Sequence, residues 1–272
     1  MEKLLRAGAD FTLISIDTSS TPGWTKGRDA AKETLLAEGK HLGLLQEQLF
    51  ADSKFGGGRS LLVVLQAMDT AGKGGIVRHA LEGADPAGIR SHAFTAPTAA
   101  EKRHDFLWRI RRWLPTPGYL GVFDRSHYED VLIHRVRGFS SPETIEERYG
   151  LINQFESEVV ASGTVIVKVM LHISVEEQRK RLLARLERRD KQWKYSPGDV
   201  DERALWPAYQ EAYEIAIQRT STTDAPWYVV PADRKWYARL AVQTIVVEKL
   251  RGLGLDWPEP AYDVEAEKKR LA

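Results

Sequence analysis

The chain has 272 residues, 28% of them charged and 43% apolar, the balance of an ordinary soluble globular protein with one large or two modest domains. Its 39 basic and 38 acidic residues leave a formal net charge of +1, which leaves partners open because the two signs can be segregated. The absence of cysteine excludes disulfides and cysteine metal sites, and no apolar stretch is long enough to span a bilayer. The N-terminus, MEKLLRAGADFTLI, lacks the apolar core and cleavage site of a signal peptide, so a cytoplasmic location is expected.

Residues 1–25 read as irregular, with a loop marked by Thr18 to Gly23. The spacing of Leu35, Leu42, Leu45 and Leu49 predicts a helix over Ala30–Phe50, broken at Phe55–Gly58. A strand is expected at Leu61–Leu65, then a glycine-bearing turn and a helix over Gly74–Leu81. A second strand follows near His92–Phe94, and a helix over Ala99–Trp113 is stopped by Pro115 and Pro117. Tyr119–Phe123 reads as a third strand ending at Asp124, and Pro142–Ser162 as a long helix with proline close to its start. Then come a fourth strand, Thr164–Leu171, and a basic helix, Val175–Asp190. A helix over Asp201–Thr220, a short strand over Trp227–Val230 and a closing helix over Lys235–Arg251 complete the chain. Apolar strands alternating with helices imply a parallel sheet covered on both faces, whose ligands sit beyond the carboxyl ends of the strands.

The segment LLVVLQAMDTAGKGG, Leu61 to Gly75, carries the strongest chemical signal. A buried strand, a tight loop of backbone N–H groups and a helix N-terminus make a phosphate cradle, and Lys73 adds a mobile charge beside it. Against the pattern G-x-x-x-x-G-K-[ST], Gly72 and Lys73 fit. Ala67 replaces the first glycine, and Gly74 replaces the hydroxyl residue that would bind Mg²⁺. Asp69, inside the loop, is the expected substitute oxygen ligand.

Tyr119–Asp124, YLGVFD, is an apolar strand ending in a carboxylate, the second acid that a P-loop enzyme uses to help hold Mg²⁺. Arg125 follows, with a planar fork suited to phosphate oxygens. Glu129 or Asp130 either orients Arg125, holds a metal-bound water, or is helix-start charge. His127 and Tyr128 either flank an acceptor nucleotide or pack.

Basic residues crowd Arg179–Lys194. Arg181, Arg185 and Arg188 recur at i, i+4 and i+7 on one helix face, with Leu182, Leu183 and Leu186 as apolar anchors. Beside a phosphate loop, the segment reads as a mobile lid that clamps phosphates and excludes water. A third basic cluster, Lys102, Arg103, His104, Arg109, Arg111 and Arg112, with Phe106, Leu107, Ile110 and Trp113 on its buried side, extends a polyanion groove or is a solvated face.

AMDTAGKGG, FDRSHYEDVL, SVEEQRKRLLARLERRDKQWKYSPGD and APWYVVPADRKWYARL, in that order, resemble the family-2 polyphosphate kinases. TPGWTKG, FLWRI, RYGLINQFE and VIVKVMLHIS are similar to the same family, so the resemblance runs from about Thr21 to Leu253. It implies an α/β fold: a three-layer α/β/α P-loop kinase with a central parallel sheet and a helical lid. The whole chain, 1–272, is then one domain, with 1–58 as an N-terminal extension and helix and 175–200 as the lid. It implies Mg²⁺-dependent phosphoryl transfer between inorganic polyphosphate and a nucleoside mono- or diphosphate, AMP or ADP.

Asp69 and Lys73 match the family's loop aspartate and lysine, Asp124 and Arg125 its second-motif acid and arginine, and Glu129 its conserved glutamate. Some members carry asparagine at the place of Asp124. The backbone at Ala71, Gly72, Gly74 and Gly75, with Arg181, Arg185, Arg188 and Arg189, is expected to hold phosphates, and Asp69 and Asp124 to hold the metal. No nucleic acid and no membrane are expected as partners, and a homo-oligomer is. An ATP-dependent nucleotide or small-molecule kinase would explain the loop, the acid and the lid equally well but needs fewer basic segments. A nucleic-acid-binding module would use the same basic helices without a recognisable recognition motif.

Overall fold

The structure is a computed structural model and describes residues 1–8 and 10–272. Five strands form one parallel sheet: β1 (Ser60–Ala67), β2 (Ile89–Ala93), β3 (Leu120–Asp124), β4 (Thr164–His172) and β5 (Trp227–Pro231), in the order β2-β3-β1-β4-β5. Every residue of β1 is buried, as expected of a central strand covered on both faces. Helices α1 (Gly27–Lys54), α2 (Lys73–Ala80), α3 (Pro142–Ala161), α4 (Val175–Glu187), α5 (Trp206–Thr220) and α6 (Lys235–Gly252) supply the layers and the lid.

Alternation along the strands divides the core in two. Leu61, Val63 and Leu65 of β1 face α1, α2 and α6, whereas Leu62 and Val64 face α3 and α5. The chain leaves β1 for one edge of the sheet, returns through β3, and then crosses to β4 and β5. The reversal puts the carboxyl ends of β1 and β3 side by side, with Leu65 in register with Asp124. That is where an open α/β sheet places its ligand crevice.

Several predicted elements differ from the structure. The Ala99–Trp113 helix is a single turn at Glu101–Arg103 and a second at Trp108–Arg111. Thr98 and Glu101 form a reciprocal capping box, but Asp105 then caps Leu107 N–H and restarts the chain in a new direction. Trp113 is not on a buried side; it is 47% exposed and stacks on His92 at 3.8 Å. The basic helix ends at Glu187, because Arg188 is extended and a separate turn occupies Arg189–Gln192. Asp201–Thr220 divides at Leu205, with Pro207 in the first turn of α5. Within residues 1–25 there are short turns at Glu2–Leu5 and Leu13–Ser15 and a bridge from Arg6 to Tyr228. A C-terminal helix, Val264–Leu271, capped by Asp263, had no expectation attached to it.

Under the site lies a buried polar network. Lys168 of β4 is fully buried and donates to Glu156 Oε2 at 2.5 Å, Tyr128 OH at 3.0 Å and Thr220 O at 2.7 Å. His127 and Tyr128 both contact Glu156 Oε1, so they pack below the site and do not flank a nucleotide. Burial opposes the charge on Glu156, yet Lys168 and His127 hold its carboxyl below the usual carboxylate range. Removing one partner of a buried pair leaves the other uncompensated. Glu156→Leu is therefore expected to destabilise the fold by about 3 kcal/mol, read as a fall in the denaturant midpoint. An unchanged midpoint would show that the network contributes nothing.

Candidate active site

The loop Met68–Gly72 carries the chain from β1 into α2. Gly72 caps α2 with φ of +120°, a conformation L residues avoid, and a Cβ there would meet open space. Thr70, at φ +67°, is left-handed without being glycine. Gly75 N–H and Ile76 N–H both bond back to Gly72 O. Among the described residues no protein acceptor takes the N–H of Thr70, Gly72, Lys73 or Gly74. Four donors at the start of a helix are left for an anion.

Lys73 does not stand free in solvent. Its side chain is 11% exposed and folds back over the strand ends, with Nζ 3.3 Å from Ala67 O and 3.9 Å from Asp124 Oδ1. Arg125, directly after β3, also has a left-handed backbone, φ +64°, fixed by its N–H bonding Leu65 O at 3.0 Å. Its Nη2 donates to Asp69 Oδ1 at 3.3 Å. Burial opposes the charge on Arg125, but Glu129, Asp69 and Asp124 outweigh it and raise its pKa.

Ser126 caps the turn His127–Asp130 that carries Glu129 to the same place. With the Gln66 amide turned so that its nitrogen faces Glu129 Oε1 at 3.0 Å, its oxygen accepts from Ser126 N–H. Burial pushes the Glu129 carboxyl up, against the pull of Arg125 and Lys73. Asp130 faces away, bound up with Arg148 and His134, and burial raises its carboxyl to about 6. Asp69, Lys73, Asp124, Arg125 and Glu129 thus converge from the ends of two strands.

A cleft of about 690 Å³ opens over this centre. Loop residues 69–75 line it, as do Asp124, Arg125, Arg185 and Arg188. Arg185 bonds Lys194 O at 3.1 Å and Asp199 at 3.3 Å, so it pairs with an acid of its own 175–200 segment. Arg188 lies beyond the helix, on Asp190 at 2.9 Å. Arg189 is exposed and does not line the cleft. Of the three leucines expected to anchor the helix only Leu182 is buried; Leu183 and Leu186 are 43% and 42% exposed, contrary to their expected packing.

Arg181 lines the cleft as expected, but its donors are committed within the protein. It is buried, and Nε, Nη1 and Nη2 make five bonds: to Glu177, Thr70 O, Ala71 O, Ala232 O and Asp233 O. A guanidinium has five N–H donors, so none remains for a phosphate.

Several basic cleft residues had no sequence expectation: Arg78 and His79 on α2, and Lys235 and Arg239 at the start of α6. The last two are the most informative. Both are pulled down in pKa by burial, and the Arg181 charge adds to this for Lys235. Their signal was present in RKWYARL: basic residues at i and i+4 opening a helix after a strand, at the sheet end where ligands sit. They also line a second cleft, about 480 Å³, with Arg28, Lys32, Lys180 and Arg234. The third basic cluster does not extend this groove. Arg109 is buried on Thr95 O and beside Glu101, Arg111 pairs with Glu158, and Arg112 lies over Trp108.

Among the described residues no three His, Asp or Glu side chains cluster as a metal cage. Asp69 and Asp124 offer carboxylate oxygens to the cleft, with side chains 31% and 30% exposed. Two carboxylates suit Mg²⁺, which keeps waters and takes substrate phosphates for its other positions. No helix among the described residues is long and apolar enough to cross a membrane.

The sequence matches the profile of the family described as Polyphosphate kinase 2 over residues 26–254. An AMP/ADP-polyphosphate phosphotransferase of Meiothermus ruber is 44% identical over 250 residues, 92% of each chain. An ADP-polyphosphate phosphotransferase of Rhodopseudomonas palustris is 42% identical over 84% of this chain and 81% of that one. The crystal structure of polyphosphate kinase 2 from Arthrobacter aurescens TC1 superposes with a TM-score of 0.97 at 54% identity, covering 99% of this chain and 95% of that one.

Proposed function

The chain belongs to the polyphosphate kinase 2 family, and we propose on that premise that its cleft moves a phosphoryl group between inorganic polyphosphate and AMP or ADP. The observation that carries the reading is the charge of the cleft. A cradle of free N–H groups and a ring of cations, Lys73, Arg125, Arg185, Arg188, Lys235 and Arg239, face two cleft carboxylates. Polyphosphate has no base to recognise, so its binding must be electrostatic, and one nucleotide needs fewer cations than this.

The terminal phosphates of the chain lie on the loop 69–75, against its N–H groups. Lys73 neutralises the group in transfer, and Arg125 holds the acceptor phosphate in line, with Glu129 keeping Arg125 oriented. Arg185 and Arg188 close over the phosphates when the lid releases Asp199 and Asp190. Transfer of this kind rests on positioning and charge neutralisation more than on covalent chemistry. Asp69 and Asp124 would hold Mg²⁺, which would supply further neutralisation of the phosphate charge.

The deciding experiment gives the purified protein Mg²⁺, polyphosphate and either AMP or ADP, without ATP, and separates the products. ADP or ATP formed from polyphosphate supports the reading; product only when ATP is the donor replaces it with an ATP-dependent kinase.

The metal assignment carries its own expectation. Gly74 supplies no hydroxyl, although a Cβ there would meet nothing within 4 Å. Asp69→Asn and Asp124→Asn should each raise the Mg²⁺ concentration for half-maximal rate by about tenfold, the lower end for loss of a metal-supporting group. A magnesium titration of Asp69→Asn that overlays the wild type would refute the substitution of aspartate for the missing hydroxyl.

A further inference from the structure

Three consecutive carbonyls of the phosphate loop point the same way, and two side chains of one helix collect them. Gln178 Nε2 donates to Asp69 O at 3.3 Å. Arg181 Nη1 donates to Thr70 O at 3.1 Å and to Ala71 O at 2.8 Å. The two residues stand at i and i+3 on α4, exposed by only 1% and 6%.

A trans peptide sets the carbonyl of one residue opposite the N–H of the next. Turning carbonyls 69–71 towards α4 therefore turns the N–H groups of Thr70, Ala71 and Gly72 away from it. Met68 O takes the Ala71 N–H at 3.2 Å. Those of Thr70 and Gly72 have no acceptor among the described residues, and both residues line the cleft. The left-handed backbone of Thr70 is what this orientation requires of the chain.

The other side of the guanidinium is equally committed. Arg181 Nη2 donates to Ala232 O at 2.7 Å and Asp233 O at 3.0 Å, in the turn from β5 to α6. Asp233 is itself fixed, its carboxylate accepting from Thr18 Oγ1 at 2.7 Å and from Ser174 N–H at 2.9 Å. Lys235 and Arg239 follow from that turn.

We infer that Arg181, assisted by Gln178, is a positioning residue for phosphoryl transfer. It holds the loop's carbonyl oxygens away from the polyanion, so that the loop presents N–H groups only. It also ties the loop to the base of the lid and to the turn that carries Lys235 and Arg239. This rests on the reading of the loop as the element that holds polyphosphate.

The test compares wild type, Arg181→Lys and Arg181→Gln, with kcat and KM for polyphosphate and for AMP at two salt concentrations. Absence of polyphosphate-dependent product in the wild type refutes the functional reading itself, apart from this inference. A lysine cannot satisfy four carbonyls on two segments. Both variants should therefore lose about 100-fold in kcat/KM for polyphosphate, on the scale of a misplaced reacting group. The KM for AMP and the salt dependence of the wild type should be kept. If Arg181 instead contacts phosphate, the lysine variant keeps most of its activity and the glutamine variant flattens the salt dependence. Either result overturns the inference, as does wild-type activity in Arg181→Gln.

Should both arginine variants fail to unfold cooperatively, Gln178→Glu decides. It keeps the acceptor for Arg203, 3.1 Å away, and removes the donor to Asp69 O but adds a charge, so the neutral Gln178→Met, which removes the same donor, is measured beside it and must show the same fall. A fall of about tenfold in kcat/KM for polyphosphate, the value of one hydrogen bond, with the KM for AMP unchanged, is expected. No fall overturns the positioning role.

Discussion

Lys73→Ala is expected to lower kcat by roughly 10³-fold, about 4 kcal/mol of transition-state stabilisation, while the fold stays intact. The ammonium is held over the strand ends by one carbonyl and one carboxylate, 3.3 Å and 3.9 Å away. Both contacts are long, so its removal should cost the fold about 1 kcal/mol, the net value of one hydrogen bond. What is lost is a charge aimed where the transferring group carries its negative charge, in a cleft that already concentrates cations. Asp124 loses its nearest cation as well and is left to repel phosphate. The measurement is single-turnover transfer from polyphosphate to AMP beside a thermal melt. Near-normal turnover with a normal melt would refute the phosphate-loop assignment; a collapsed melt would show that Lys73 is structural.

The glycine-bearing loop after β1, the carboxylate at the end of β3 and the parallel sheet were legible because each is local. An apolar run that ends at a glycine turn, or at Asp124, needs no distant partner to be read. Strand ends at the switch point then bring Asp69 and Asp124 together by topology alone. Features that depend on long-range pairing were not legible. Arg181 and Arg185 share a helix face in sequence and in structure and both border the cleft, yet one is committed to loop carbonyls 110 and 111 positions earlier while the other bonds Lys194 O and Asp199. Periodicity reports the face and is silent about what the face meets. The Ala99–Trp113 segment failed for a related reason. Its apolar spacing was helical, but Asp105 competes for the backbone as a side-chain acceptor and ends the first turn. Lys235 and Arg239 were missed because Lys235–Arg251 read only as a closing helix; most of α6 packs in the core, and its N-terminal residues reach the cleft.

Arg125→Gln is expected to lower kcat/KM by roughly 10³-fold, the lower end of what an arginine on a transferring phosphoryl group supplies. The residue sits at φ +64°, a strained position that is retained where the surrounding structure fixes it. There its guanidinium faces Glu129, Asp69 and Asp124 together, and those carboxylates raise its pKa against burial. The same coupling sets a pH signature. Burial pushes the Glu129 carboxyl up, and Arg125 is the strongest influence pulling it back down. Without Arg125 the Glu129 pKa rises further, so protonation begins at a higher pH. If activity needs the ionised carboxylate, the acid limb of the residual kcat/KM profile in Arg125→Gln must shift upward in pH relative to wild type. Arg125→Lys separates the two contributions. It keeps the charge, so its acid limb should stay near that of wild type, but it lacks the planar fork and should still lose rate. Coincident acid limbs in wild type and Arg125→Gln would show that Glu129 does not act through Arg125, and would leave the arginine as an independent phosphate ligand.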